Sequence, residues 1–304
     1  MILVAMMAFV AETDENKWLL VRERSATSLR AEVIDDPKSF SEIINKSVQA
    51  PGPLVNVDAQ TLARVPLPSG SLASLGLGLS YPSHQQEVRA EATVFFKKDA
   101  VPTTLVDRIA HRPFLDFEAE VSLLLHREEP ELFGYLMHND LTDRKVQVQN
   151  YNPDDQAPGF ALSKSFVGAN AHGRFMAIGG ADLWSKLEMQ LWRNNELVQT
   201  VRPAENVMDP REIHRRVFAD KALSGDRKWV IIGTGTPAGT IFRAPTVLQK
   251  LALFVRSGFR MRRAQELWLE RFKFLQVGDR LEFRSETWGS EFTQIVAPLD
   301  GHRP

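Results

Sequence analysis

Short runs of β-branched, aromatic and aliphatic residues recur through most of this chain, and turn-forming residues separate them. Between about residues 84 and 300 the strand-like runs are ATVFFKK, FEAEVSLLL, FGYLMHND, GRFMAIGG, KLEMQLWRN, KWVIIGTG and DRLEFRSE. Helical patterns are fewer and shorter, as in REIHRRVFADKAL, which follows turn signals around 204–211. Strand runs bounded by Gly, Pro, Asn and Asp predict an α+β, mainly β domain.

Residues 1–72 are predicted to form a small N-terminal α+β domain, and 73–304 the larger domain. The runs ILVAMMAFVA and KWLLVRE favour strands, and SFSEIINKSVQ favours a short helix opened by a serine cap. The apolar opening is followed at once by acidic residues, so it fits a buried strand better than a secretory signal or a membrane helix. The Pro-, Gly- and Ser-rich stretch 65–83 is predicted as a linker that runs into a flexible loop.

Composition limits the class of protein. Charged residues are 25% and hydrophobic residues 43% of the 304, and the net charge of -1 gives no general reason to expect nucleic acid or a membrane as partner. The absence of cysteine removes disulfides, thiolate metal sites and cysteine nucleophiles, and it fits a reducing cytosol. A cytoplasmic location is therefore expected.

The segment 240–273 differs from its surroundings. Its apolar residues have helical spacing, and it holds eight Lys or Arg against two Glu. One interpretation is a helix pair that packs on the domain or on a second subunit. The other is a basic surface that draws acidic compounds toward a nearby site.

Three carboxylates alternate in DFEAE, at Asp116, Glu118 and Glu120. On a strand, residues two apart point to one face, where like charges repel unless a cation neutralises them or they point into water. The motif alone leaves open a site for a hard cation such as Mg²⁺ and a solvent-facing acidic strand edge. Asp140 ends the apolar run FGYLMHND, and sites are often built at strand ends.

Six segments follow one another in a fixed order. They are SYPSHQQE (80–87), DFEAE (116–120), HNDLTDRKVQ (138–147), LSKSF (162–166), IIGTGTPAG (231–239) and FLQVGDRLEF (274–283). Together they resemble the fumarylacetoacetate hydrolase superfamily, in particular its shorter acylpyruvase and 2-oxo-acid hydrolase, isomerase and decarboxylase members. The resemblance implies a mixed β-sandwich roll that is usually a homodimer.

The resemblance also implies a metal site. Glu118, Glu120 and Asp140 are at the positions of the family's ligands for a divalent cation, which would be Mg²⁺ or alternatively Mn²⁺ or Ca²⁺. Asp116 is not a ligand by the resemblance, so we expect it either behind the ligands or at the surface.

Three residues are implied to carry the chemistry. Lys164 would stabilise negative charge that develops on a carbonyl or enolate oxygen of the substrate. His84 and Glu87, on one side of a helical turn, would form a dyad that activates water. His138, beside the proposed metal turn, has no partner spacing that assigns it a role.

Four further positions are implied to bind substrate. Arg144 would bind an anionic group through its planar guanidinium, and Gln147 would bind by hydrogen bonding. In the turn after the run WVII, Gly235 would allow close backbone approach and Thr236 would offer a hydroxyl.

The chain departs from the family pattern at several positions. Asp143 and Lys145 flank Arg144 and change the local charge. Ser80 stands where the family commonly has an asparagine before the tyrosine of the SYPSHQQE segment. The basic helical segment 240–273 stands where the family usually has a short loop. The identity of the substrate cannot therefore be carried over from any one member.

The sequence supports three functional hypotheses. The first is a catabolic, metal-dependent hydrolase that cleaves a carbon–carbon bond in a 1,3-diketo acid, such as an acylpyruvate or a fumarylacetoacetate-like compound. There the metal would chelate the 2-oxo acid and the His84–Glu87 dyad would activate water. The second is a decarboxylase, tautomerase or hydratase of a 2-oxo dicarboxylate that works through an enolate. The third is a non-catalytic binding or assembly member of the family, with segment 240–273 as its interface.

Overall fold

A computed structural model describes residues 8–12, 17–24, 28–35, 37–58, 62, 66–68, 72–90, 92–98, 108–152, 154–286, 288 and 290–298. The strands are β1 (Ala8–Glu12), β2 (Trp18–Arg24), β3 (Ser28–Ile34), β4 (Leu54–Asp58), β5 (Leu72–Gly78), β6 (Val94–Lys97), β7 (Arg108–Ala110), β8 (Leu115–Asp116), β9 (Ala119–His126), β10 (Leu132–Asp140), β11 (Thr142–Asp143), β12 (Asn170–Gly180), β13 (Met189–Arg193), β14 (Glu196–Val201), β15 (Trp229–Gly233), β16 (Arg280–Ser285) and β17 (Ser290–Ala297). The α-helices are α1 (Phe40–Ser47), α2 (Pro82–Val88), α3 (Arg144–Gln149), α4 (Ala157–Ser163), α5 (Pro210–Ala219), α6 (Lys221–Ser224), α7 (Val247–Arg256) and α8 (Met261–Leu269).

Two mixed sheets form the framework. The larger has ten strands in the order β4-β3-β2-β1-β12-β10-β9-β15-β5-β6, and the smaller has five in the order β14-β13-β16-β17-β7. Strands β15 and β5 pair in parallel, as do β17 and β7, whereas the other pairs are antiparallel. The predicted α+β, mainly β fold is confirmed.

Both faces of the large sheet are covered by apolar side chains. Leu123 and Tyr135 of the large sheet share one hydrophobic core with Leu191 and Phe283 of the small sheet. Leu124 points to the opposite face, into a second core that includes residues of α1. Burial on both faces explains why β9 and β10 have nearly continuous apolar sequences rather than strict alternation.

The glycine-rich stretch that we predicted as a linker and loop contains a strand of the large sheet. Strand β5 pairs with β15 on one side and β6 on the other, and its Leu75 and Leu77 are buried. A side chain at Gly76 would collide with the ring of Phe96, since an added Cβ would lie 2.2 Å from a ring carbon. The glycine content therefore reflects close packing of an aromatic ring, and the prediction of a flexible loop was wrong over 72–78.

The N-terminal strands extend the same large sheet. Strand β1 pairs antiparallel with β12, which joins β1–β4 to the strands of the C-terminal part. Helix α1 begins as predicted with a serine cap, because Ser39 Oγ accepts a hydrogen bond from the main-chain nitrogen of Glu42 at 3.2 Å. Residues 2–7 of the predicted opening strand lie outside the described residues. A division into two domains at residue 72 stays a prediction.

The basic segment 240–273 forms two helices, as its periodicity predicted. Leu253 of α7 and Trp268 of α8 pack in a small core with Phe242, near the start of the segment, and Phe274, directly after its end. None of the helices in the described part of the chain has the length and apolar character needed to span a membrane.

Candidate active site

Three carboxylates converge where β9 and β10 lie side by side. Glu118 precedes β9, Glu120 lies within it, and Asp140 is the last residue of β10. One carboxylate oxygen from each lies within 4.8 Å of the others, and all three residues are buried. The acids that the sequence placed on one strand and at the end of another therefore meet, and a solvent-facing acidic edge was the wrong alternative.

Two buried lysines approach these carboxylates. The Nζ of Lys164, at the C-terminal end of α4, lies 2.5 Å from Glu118 Oε2 and 2.8 Å from Asp140 Oδ2. The Nζ of Lys98, just after β6, lies 2.8 Å from the same Asp140 oxygen. No role was predicted for Lys98, although it ends the apolar run VFFKK, which is a usable signal for a buried lysine.

The carboxylates retain oxygen atoms that fit a cation. Glu120 Oε2 and Asp140 Oδ1 are buried and have no hydrogen-bond partner within the described part of the chain. Burying such oxygens is unfavourable unless a hydrogen-bond donor or a cation satisfies them. Hard divalent cations prefer carboxylate oxygens. The donor set thus fits Mg²⁺ or a similar ion.

The three carboxyl groups are electrostatically unequal. Burial disfavours the charge on Glu118 and Asp140, but the nearby cations outweigh it and hold the pKa of both groups below the usual range. The main cations are Lys164 and Arg144 for Glu118, and Lys164 and Lys98 for Asp140. At Glu120, burial and the Asp140 charge raise the pKa to about 8. Of the three carboxyl groups, Glu120 is therefore the one whose protonated form the site favours.

Metal binding should release the Glu120 proton. Because a ligand carboxylate must be deprotonated, the apparent metal affinity should rise by about tenfold per pH unit below pH 8 and level off above it. Calorimetric titration with Mn²⁺ at about pH 7 and pH 9, in buffers of different ionisation enthalpy, counts the protons released. Glu120→Gln, which keeps the shape of the protonated acid, should release none. Equal proton release at both pH values would contradict this assignment.

Arg144 begins α3 and is buried among acids. Its Nε lies 2.8 Å from Asp116 Oδ2, its Nη2 lies 2.7 Å from Glu118 Oε1, and its Nη1 donates to Gln147 Oε1 at 2.8 Å. Asp116 is fully buried behind the site, so its placement at the surface was the wrong alternative. The two residues predicted to bind substrate are thus held against each other, and a direct substrate contact for either stays a prediction.

His84 and Glu87 lie on one side of α2, as the spacing predicted. His84 Nδ1 is 3.0 Å from Glu87 Oε2, and both side chains are 7% exposed. Burial raises the pKa of Glu118 and the cations Lys164 and Arg144 lower it, and His84 in its protonated form would lower it further. The pair therefore lies in the same electrostatic environment as the carboxylates.

Hydrogen bonds to neighbouring protein groups fix the turn after β15. The Thr236 hydroxyl donates to the main-chain oxygen of Ala119 at 2.9 Å and accepts from Gln199 Nε2 at 2.8 Å. Gly235 has a φ of +84°, and a Cβ there would lie 2.2 Å from Ser80 Oγ. At Gly235 the close approach that we predicted for a ligand is made by Ser80 of the protein. Substrate contacts for Gly235 and Thr236 stay predictions.

His138 lies behind the carboxylates, stacked on His172 with ring centroids 4.2 Å apart. Its Nδ1 is 3.4 Å from Glu120 Oε2. Burial, together with Lys98, lowers the pKa of His138 to about 3. The raised pKa of Glu120 and the lowered pKa of His138 both oppose an ion pair at this contact.

Comparison with known proteins agrees with this architecture. A model of the C-terminal domain of fumarylacetoacetate hydrolase matches residues 74–296. Uncharacterised proteins of Staphylococcus aureus are 27% identical over 200 residues, which cover 60% of this chain and 62% of their own length. The chain thus matches less than two thirds of these relatives.

Two solved structures share the fold. The fumarylacetoacetate hydrolase of psychrophilic Exiguobacterium antarcticum superposes with a TM-score of 0.60 at 18% identity, covering 96% of this chain and 99% of its own. The maleylpyruvate hydrolase of Sphingobium sp. SYK-6, in complex with manganese(II) and pyruvate, superposes with a TM-score of 0.55 at 16% identity, covering 95% and 99%. Because the family model spans most of the chain, this protein belongs to the fumarylacetoacetate hydrolase family.

Proposed function

We propose that this protein is a divalent-metal-dependent hydrolase that cleaves a carbon–carbon bond in a 1,3-diketo acid of the acylpyruvate or fumarylacetoacetate type. The observation that carries the proposal is the convergence of Glu118, Glu120 and Asp140, with Lys164 between two of them. When bound, a divalent cation would act as a Lewis acid toward the 2-oxo acid.

The His84–Glu87 pair is suited to activate water. Glu87 holds the imidazole through Nδ1, which leaves Nε2 as the nitrogen that can accept a proton from water. Deprotonated water would attack the distal carbonyl of the diketo acid, and the bond between that carbon and the central carbon would then break. His84 would return the proton to the departing carbon.

Lys164 is suited to stabilise the departing enolate. A lysine ammonium has three N–H donors, and two are directed to Glu118 and Asp140. The Asp140 main-chain oxygen is farther away, at 3.5 Å, so the third donor can turn to a substrate oxygen that becomes negative. Arg144, held by Asp116 and Gln147, would orient an anionic group of the substrate.

The dyad separates this proposal from the enolate chemistry of a decarboxylase or tautomerase, whereas a hydratase would also need an activated water. Decarboxylation and tautomerisation need the carboxylates and the lysine, but keto–enol exchange needs no activated water. The short contact between His84 and Glu87 therefore favours hydrolysis over these two reactions. A pyruvate complex of the similarly folded maleylpyruvate hydrolase is consistent with a 2-oxo acid product. We further propose a cytoplasmic homodimer that uses Mg²⁺ or Mn²⁺, with Ca²⁺ as the alternative.

Turnover of a small substrate panel tests the proposal. The protein should be treated with EDTA and assayed on acetylpyruvate, fumarylpyruvate and oxaloacetate, with and without added Mg²⁺ or Mn²⁺. We expect metal-dependent loss of the diketo-acid absorbance for at least one of the first two compounds. Metal-dependent turnover of oxaloacetate alone would replace hydrolysis by the enolate alternative. Failure to bind either cation would support the non-catalytic hypothesis.

A further inference from the structure

The segment that leads into the basic helices is attached to the Glu87 carboxylate. The Gly239 main-chain nitrogen donates to Glu87 Oε1 at 3.0 Å, and the Thr240 hydroxyl donates to Oε2 at 3.2 Å. Arg243 Nη2 lies 2.9 Å from Oε1. Because His84 Nδ1 also contacts Oε2, the almost fully buried carboxylate is held from both ends.

Arg243 supplies a permanent positive charge to this arrangement. Glu87 is 7% exposed, and a buried carboxylate without a cationic partner is strongly unfavourable. A guanidinium on Oε1 compensates the charge and leaves Oε2 directed toward His84. Thr240 and Gly239 donate neutral hydrogen bonds, so neither can replace that charge.

Arg243 is itself held by the helical segment. Its main-chain oxygen accepts a hydrogen bond from Trp268 Nε1 of α8 at 2.7 Å. Its guanidinium donates to the main-chain oxygen of Phe242 at 2.9 Å and also to that of Thr240. Trp268 belongs to the small core that joins α7 and α8. The packing of these two helices therefore fixes where Arg243 meets Glu87.

The same stretch of chain also supports Arg144, the arginine proposed to bind substrate. The main-chain nitrogens of Ile241 and Phe242 donate to the Asp116 carboxylate at 3.0 and 3.1 Å. Asp116 in turn holds Arg144 Nε at 2.8 Å. One short segment thus connects the support of the dyad with the support of the proposed substrate arginine.

We propose that Arg243 is a positioning residue for the His84–Glu87 pair and that α7 and α8 hold it in place. The predicted effect of Arg243 on turnover rests on the proposed function. Its effect on the position of the dyad does not, because the contact between Arg243 and Glu87 is independent of the substrate. Segment 240–273 would then fix the position of the dyad through the contact between Arg243 and Glu87. Arg243 acts through Glu87 and need not touch the substrate.

The test compares Arg243→Gln with Arg243→Lys and with Arg263→Gln. Arg263 is a matched control, since it lies on α8 of the same segment, is paired with Glu270 at 2.9 Å, and has a side chain 48% exposed against 43% for Arg243. Proteins labelled with ¹³C at histidine Cε1 report on the His84 ring, and His84→Asn assigns its signal. We expect the His84 signal to move in Arg243→Gln, to return part of the way in Arg243→Lys, and to stay in place in Arg263→Gln.

Kinetics supply the second measurement. A misplaced base weakens only the transition state, so Arg243→Gln should lower kcat by about 10–100-fold with little change in KM. Arg243→Lys should recover part of the rate. Mn²⁺ affinity should not change, because Glu118, Glu120 and Asp140 are untouched.

The outcomes separate the two proposals. A His84 signal that stays in place in folded Arg243→Gln, or that moves equally in Arg263→Gln, overturns the role of Arg243. If the wild-type protein hydrolyses no diketo acid but the signal moves only in the Arg243 variants, the proposed function fails and the positioning role stands. If Arg243→Gln does not fold, the same substitution is combined with Glu87→Gln, which leaves no carboxylate charge to compensate. Because Arg243 acts through Glu87, adding Arg243→Gln should lower the kcat of Glu87→Gln little further, and a further loss of about tenfold or more would overturn the role.

Discussion

Replacing His84 with alanine should lower the rate of diketo-acid hydrolysis by about 10²–10⁴-fold, the usual contribution of a general base. The ring is held through Nδ1 by Glu87 and is the only imidazole that the described residues place against that carboxylate. Keto–enol exchange of the same substrate should continue, because it depends on the carboxylates and the lysine. The two rates can be compared by following loss of absorbance and deuterium exchange at the central carbon by NMR.

Metal binding provides the internal control for this variant. His84 is not one of the three proposed metal ligands, so His84→Ala should bind Mn²⁺ as the wild type does. If His84→Ala keeps the metal affinity of the wild type, its lower rate of hydrolysis is not caused by unfolding. Equal loss of hydrolysis and exchange would mean that His84 does not act on water, and an unchanged rate of hydrolysis would remove it from the mechanism.

Replacing Lys164 with methionine should lower kcat by about 10²–10³-fold, the scale for one donor to a developing oxyanion. Methionine has a similar length but no charge, so the enolate oxygen would lose its ammonium donor. Saturating Mn²⁺ and substrate should be used, so that weaker binding of either does not enter the comparison. An unchanged kcat would exclude Lys164 from charge stabilisation.

The same variant should also be less stable when no metal is bound. Removing one partner from a buried ion pair costs about 3–5 kcal/mol of unfolding free energy, because the carboxylates of Glu118 and Asp140 lose a cation. Added Mn²⁺ should restore part of this loss by supplying positive charge at the same oxygens. Denaturant unfolding with and without Mn²⁺ measures both effects. Lys186→Met is the matched control, since Lys186 forms an exposed pair with Asp182 and should change stability by less than about 1 kcal/mol.

The sequence predicted those parts of the site that depend on local pattern and motif order. Glu118 and Glu120 are two residues apart beside a strand, Asp140 ends a buried run, and His84 and Glu87 are three apart on a helix. The period of a strand or a helix indicates which of these side chains share a face, and the resemblance to the fumarylacetoacetate hydrolase superfamily implied that they form one site. The strands of the framework were predictable from their local pattern.

The parts that were missed depend on contacts between distant segments. Strand β5 was hidden because glycine is typical of loops, whereas Gly76 is required by the ring of Phe96. Lys98 and Arg243 reach carboxylates that are far away in the sequence, and no local period indicates such a partner. The role of Asp116 depends on Arg144 and on two main-chain nitrogens of the basic segment, so spacing alone could not distinguish it from a surface acid.

The pairing of β1 with β12 has a consequence for the order of folding during synthesis. Ala8 lies opposite Ile178, so the N-terminal strands leave the ribosome long before the strand that they join in the large sheet. At cellular rates of translation the delay is on the order of ten to thirty seconds. During that time one edge of β1 has no partner from β12, and unpaired strand edges favour aggregation. Strands β1–β4, which extend the sheet at this edge, are therefore made well before the strand that they join, and the nascent chain has to keep that edge from pairing with other chains.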